Sequence, residues 1–165
     1  MSTTPVETAS TCNGNLNVSS GATLTLTGTV YVTGNVTVDG NNTSIKLDNS
    51  YATLGGILIS NGTFSVNHPG MTLTGSGQTG SYLLVLSNSS SDQAVYVKNN
   101  LIGSVVFYTT TGGITLSNNV SVTEATGYKI VMLNGSKIQY SSGVANIYFS
   151  SGTGAGWKVT DWQEK

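Results

Sequence analysis

The chain has 165 residues, enough for one domain with a buried core, and a formal net charge of −1 with only 8% charged residues. A balance this close to neutral offers no electrostatic attraction to nucleic acid or to an anionic membrane, and the apolar runs, such as Leu83-Leu84-Val85-Leu86, are far too short to span a bilayer. Gly, Ser, Thr and Asn abound, all six basic residues are lysines, and β-branched and turn-forming residues outweigh helix formers, which excludes a helical bundle or a highly charged disordered chain and predicts an all-β domain.

Residues 1–14 read as a polar N-terminal tail without an apolar leader, so an exported protein would carry this sequence as a piece of a longer chain. Cys12 is the only cysteine, either a free thiol or one whose disulfide partner lies upstream. From residue 15 to 165 the pattern is one repeat domain. Leu16-Asn17-Val18 and Ala22 to Leu26 form an incomplete first turn of it. Short aliphatic runs then recur at Val30-Tyr31-Val32, Ile57-Leu58-Ile59, Leu83-Leu84-Val85, Val105-Val106-Phe107 and Ile130-Val131-Met132, starting 27, 26, 22 and 25 residues apart.

Each run is followed by a second strand-like segment: Val36-Thr37-Val38, Phe64-Ser65-Val66, Val95-Tyr96-Val97, Ile114-Thr115-Leu116 and Ile138-Gln139-Tyr140. A third set follows at Ile45-Lys46-Leu47, Met71-Thr72-Leu73, Leu101-Ile102, Val120-Ser121-Val122 and Ile147-Tyr148-Phe149. The joints carry Gly34-Asn35, Asn61-Gly62, Gly112-Gly113 and Asn134-Gly135, then Asn41-Asn42, Asn99-Asn100 and Asn118-Asn119, residues that tolerate the positive φ of sharp corners. Three strands and three corners per period predict a right-handed parallel β-solenoid with about three strands per coil and five to six coils. A meander of hairpins is the competing fold, since Asn-Gly also makes hairpin turns, but it does not require like strands at every third segment. The end, around 152–165, reads as a cap, with Trp157 and Trp162 over the last coil; stacking of these rings on a surface glycan is the alternative.

Alternation along the strands divides inward from outward residues. With Val30, Ile57, Leu83, Val105 and Ile130 inward, the first face presents Tyr31, Leu58, Leu84, Val106 and Val131, with Leu86, Tyr108 and Leu133 beside them. Such an apolar strip marks a contact surface for a protein partner or for self-association, unless the terminal segments cover it. The other two faces are polar, with Thr37, Ser65, Tyr96, Thr115 and Gln139 outward on the second and mostly Lys46, Thr72, Ser121 and Tyr148 on the third.

The inventory is poor in chemistry. One histidine, His68 in a corner-like Asn-His-Pro-Gly, and one cysteine leave no zinc motif and no histidine-based triad beyond that one position. Asp48 and Glu124 both follow third strands, but three coils apart, about 15 Å and beyond the spacing of a glycosidase pair. Asp39 and Asp48 share a coil at different corners. The expectation is a protein without catalytic residues, cofactor or metal. An ice-binding ladder, suggested by Thr23, Thr25 and Thr27, is broken by Lys46, Tyr96, Gln139 and Tyr148.

Residues 29–165, through Gly80-Ser81-Tyr82-Leu83-Leu84-Val85-Leu86-Ser87, Leu116-Ser117-Asn118-Asn119, Thr126-Gly127-Tyr128-Lys129-Ile130 and an ending with Gly156-Trp157-Lys158-Val159 and Trp162, resemble a domain of PilX-like, type IV pilin-related bacterial surface proteins. The resemblance implies an extracellular structural or adhesive module carried on a pilin-like segment and displayed at the cell surface, and it brings no catalytic residues. A looser similarity to bactofilins, which polymerise as β-solenoids, implies self-assembly as the alternative.

Overall fold

The computed structural model describes residues 9–141. Within them the chain winds six coils around three sides, and every coil but the fourth contributes one strand to each side. The first coil has β1 (Ser10–Cys12), β2 (Leu16–Val18) and β3 (Thr23–Leu26). The second has β4 (Val30–Val32), β5 (Val36–Val38) and β6 (Ser44–Leu47), and the third β7 (Gly56–Ser60), β8 (Phe64–Val66) and β9 (Thr72–Thr74). The fourth coil has β10 (Leu83–Ser87) and β11 (Val95–Lys98), the fifth β12 (Val105–Thr109), β13 (Gly113–Ser117) and β14 (Ser121–Val122), and the sixth β15 (Glu124–Thr126), β16 (Lys129–Met132) and β17 (Lys137–Ile138).

Every pairing is parallel. The first sheet runs β1-β4-β7-β10-β12-β15 and the second β2-β5-β8-β11-β13-β16. The third side is split into β3-β6-β9 and β14-β17, with the fourth coil represented there only by the bridge from Ile102 to Ser121. The protein is therefore an all-β parallel solenoid. Its first strand lies inside the stretch expected as a tail, because Ser10, Thr11 and Cys12 align with Val30, Tyr31 and Val32.

The last coil also begins earlier than the aliphatic runs suggest. Glu124-Ala125-Thr126 is its first strand, and Ile130–Met132 belongs to the second sheet, opposite Ile114–Leu116. Ile138 correspondingly sits on the third side, opposite Val122. A strand with one small apolar residue carries no aliphatic signal; its place is fixed by the ladder below it. Ile147–Phe149 and the cap residues Trp157 and Trp162 lie outside the described residues.

Stacking puts like residues above one another. Val30, Leu58, Val85, Phe107 and Ala125 form one inward column. Leu16, Val36, Phe64, Val95, Ile114 and Ile130 form a second, and Val18, Val38, Val66, Val97, Leu116 and Met132 a third. From the second coil to the fifth nearly all of these are fully buried, and the Phe64 and Phe107 rings meet at 5.9 Å between centroids. At the last described coil Ile130 and Met132 are 40% and 43% exposed, since no described strand lies above them.

Buried polar ladders close the corners. At the end of the first sheet Cys12, Val32, Ser60, Ser87 and Thr109 share one column. The Ser60 hydroxyl donates to the Gly34 carbonyl at 2.9 Å, Ser87 to Gly62 at 2.8 Å and Thr109 to Gly112 at 2.6 Å, so each strand's last side chain satisfies a corner carbonyl. Cys12, a free thiol, packs partly buried against the core at the foot of this column.

Between the second and third sides an asparagine ladder climbs four coils. Asn134 Nδ2 donates to Asn118 Oδ1 at 2.7 Å, Asn118 Nδ2 to Asn99 Oδ1 at 3.1 Å, and Asn99 Nδ2 to the Asn67 carbonyl at 2.9 Å. Asn99, Asn118 and Asn134 all hold positive φ, of 70°, 61° and 50°. Asn118→Ala removes three side-chain hydrogen bonds, the two rungs of the ladder and one from the Ser117 hydroxyl, and forces a Cβ-bearing residue without a polar partner to keep φ near 61°. The expected loss is about 2–3 kcal/mol in urea unfolding, of which Asn118→Gly, relieved of the backbone strain, shows about half. Equal losses for the two variants would contradict the strain contribution.

Candidate interaction face

The outward surface of the first sheet is set by the register of its five-residue strands. Gly56-Ile57-Leu58-Ile59-Ser60 lies residue for residue on Leu83-Leu84-Val85-Leu86-Ser87, and this on Val105-Val106-Phe107-Tyr108-Thr109. Position one points in: a Cβ on Gly56 would stand 2.5 Å from Leu47 Cδ2 and 2.8 Å from Tyr51 Cε1, so only glycine fits beneath the buried Tyr51. Positions three and five point in as well, as Leu58, Val85 and Phe107 and as the hydroxyl column.

Positions two and four point out and form two apolar columns. One is Ile57, Leu84 and Val106, continued by Glu124; the other is Tyr31, Ile59, Leu86 and Tyr108, running from Thr11 to Thr126. Ile57, Ile59, Leu84 and Leu86 are half-buried, Val106 is nearly buried and Tyr108 is 37% exposed. All but Ile57, which begins its column, are flanked above and below by their own column.

This corrects the composition of the expected strip. Tyr31, Leu84, Leu86, Val106 and Tyr108 are on it, but Leu58 is fully buried in the core. Taking the aliphatic triplets as equivalent placed Ile57 in line with Leu83, one residue out of register, and one residue inverts a strand's faces. Val131 and Leu133 are not on this face: Val131 ends the outward column of the second sheet, above Thr115, and the half-exposed Leu133 follows it. Ile57 and Ile59 take their place. The signal for them is the terminal hydroxyl, for Ser60, Ser87 and Thr109 align the three strands correctly where the aliphatic runs do not.

The second face is polar in the expected order, with Asn17, Thr37, Ser65, Tyr96 and Thr115 in one column, though Val131 rather than Gln139 completes it. On the third side Lys46 stands between Thr25 and Thr74, and Thr72 one column over with Thr23 and Ser44. Two shallow clefts of about 320 and 300 Å³ flank the exposed Ile102 where this side is interrupted, lined by Thr74, Ser104, Ser121, Lys137 and Gln139 among others.

Asp39 and Asp48 serve their own corners. Asp39 accepts from the Gly40 N–H at 2.9 Å, and Asp48 caps the single-turn 3₁₀ helix Asn49–Tyr51 by accepting from the Ser50 N–H at 2.9 Å. That hydrogen bond holds the Asp48 carboxyl below its ordinary pKa. Asp92 lies 3.8 Å from Lys129, and Glu124 accepts from the Thr126 hydroxyl at 3.5 Å. His68 occupies its corner, 3.4 Å from the Pro69 carbonyl. Among the described residues no helix is long and apolar enough to cross a membrane. Comparison with protein-family models, with curated proteins and with solved structures finds no match for this chain.

Proposed function

We propose that this solenoid is a non-enzymatic structural or adhesive module of an exported, pilus-associated or cell-envelope protein, and that the outward face of its first sheet is its contact surface. The observation that carries the reading is the pair of apolar columns on that face, against polar columns on the second. A stack held by ladders of backbone, hydroxyl and asparagine hydrogen bonds suits a rigid spacer, since each coil braces its neighbours. The corner-bound carboxylates support a structural role for the acids. Display outside the cell rests on the resemblance to pilin-related surface proteins and on the sparse charge.

The reading is tested on cells that express the whole gene. Protease added to intact cells is expected to remove the domain, and Leu84→Asp to lower attachment or appendage assembly while leaving the amount displayed unchanged. Protection from protease until the cells are lysed would refute the surface assignment.

A further inference from the structure

Ser141 is the last described residue, and its hydroxyl accepts a hydrogen bond from the Tyr82 hydroxyl at 3.0 Å. Tyr82 immediately precedes β10, in the fourth coil. A chain that went on stacking would open a seventh coil at this point. Ile138 lies opposite Val122, so Ser141 would then stand above Ala125 in the first sheet. That place is three strand spacings, about 14 Å, above the fourth coil and beyond the reach of a tyrosine hydroxyl. The contact with Tyr82 therefore means that the chain has left the stack and passes on its outside, beside the starting edge of the first sheet. Burial follows the same path. Ile130 and Met132, at the end of the described stack, remain 40% and 43% exposed, whereas Tyr82 and the outward Val106, near that edge, are each 7% exposed. Tyr108, further from the edge on the same strand as Val106, is 37% exposed.

We propose that residues 142–165 continue from Ser141 across the outward face of the first sheet and cover its apolar columns, in place of a cap over the last coil. This strap regulates the contact surface and rests on that reading, since a partner gains the face by displacing the strap. The composition suits the role: the segment carries Val144, Ile147, Phe149, Trp157, Val159 and Trp162, and no charged residue before Lys158. Its length suits it too. From β12 down to β4 is about 14 Å, which about five extended residues span, so the segment is long enough to cross the face more than once. Tethering makes a face of a few rows sufficient. A free partner must offset its lost translational and rotational freedom, whereas a segment joined at Ser141 meets the face at high effective concentration.

Trp157 and Trp162 are the chain's two tryptophans, so the intrinsic fluorescence of the whole chain reads the segment directly. Native emission is expected at shorter wavelength than emission in urea, and unchanged by dilution from about 100 µM to about 1 µM. Leu84→Asp and Leu86→Lys, both folded by circular dichroism, are expected to move it most of the way to the urea position. Met132→Lys, at the end of the described stack, is expected to leave it in place. Native emission at the urea position overturns the strap and leaves the face open. A blue shift that Met132→Lys abolishes and Leu84→Asp does not overturns it in favour of a cap over the last coil. Loss of the shift on dilution overturns it in favour of docking on a second copy. The contact-surface reading fails separately, if Leu84→Asp releases the tryptophans yet leaves the attachment of intact cells unchanged.

Discussion

Leu58→Asp is expected to abolish the folded state at room temperature, while Leu84→Asp, in the neighbouring strand of the same sheet, is expected to cost no more than about 1–2 kcal/mol. The two leucines occupy middle positions of similar aliphatic runs but opposite faces. Leu58 is fully buried between Val30 below and Val85 above, with no buried cation within its column to pair a carboxylate. An aspartate there either keeps an unpaired charge in an apolar interior or is protonated at a cost set by its shifted pKa; either route, together with the lost leucine, amounts to about 5 kcal/mol or more. That is comparable to the whole stability of a small domain. Leu84 points outward, where an aspartate stays hydrated. Circular dichroism with urea titration of both variants checks the prediction, and two similar midpoints would mean that the register of β7 on β10 is wrong.

Phe107→Ala is expected to destabilise the stack by about 3–5 kcal/mol, with Phe107→Leu recovering most of the loss. The ring fills the centre of the fifth coil, above Val85 and below the small Ala125, and leans on Phe64 of the second sheet at 5.9 Å. No larger neighbour stands ready to fill the cavity. Because each coil contacts mainly the next, the loss should spread upward rather than evenly. In native-state hydrogen exchange the amides of β12, β13, β15 and β16 are expected to lose protection first, and those of β4 and β5 to change little. A uniform loss of protection would show that the solenoid unfolds as one cooperative unit.

The architecture was legible because its signals are local and repeated. Asparagines and glycines mark the corners, and triplets such as Val36-Thr37-Val38 and Phe64-Ser65-Val66 align unaided, which is why the second face was read correctly from Thr37 to Thr115. The first face was harder. Its strands are five residues long and mostly apolar on both sides, so Ile57-Leu58-Ile59 offers no inside–outside contrast, and the decisive residues are the inward Gly56 and the terminal Ser60. The ends were harder still. Ser10–Cys12 and Glu124–Thr126 hold scarcely any apolar side chain and are strands only because β4 and β12 template them. A polar segment laid on a finished ladder inherits its conformation from its neighbour, and no propensity in the segment itself announces it.

The gap in the third side gives the stack a seam. Coils three and four are bound by strand ladders on two sides, while on the other β9 ends its sheet and Gly103 lies so close to the Leu73 carbonyl that a Cβ would stand 2.1 Å from it. The asparagine rungs from Asn67 to Asn134 run along the corner beside this gap, like stitching next to an open edge. Tension along the axis is therefore expected to divide unevenly around the perimeter, and the column to bend by opening at the interrupted side before any coil unwinds. A module anchored at one end and gripped at the other would yield there as a compliant joint between two stiff blocks of three coils each.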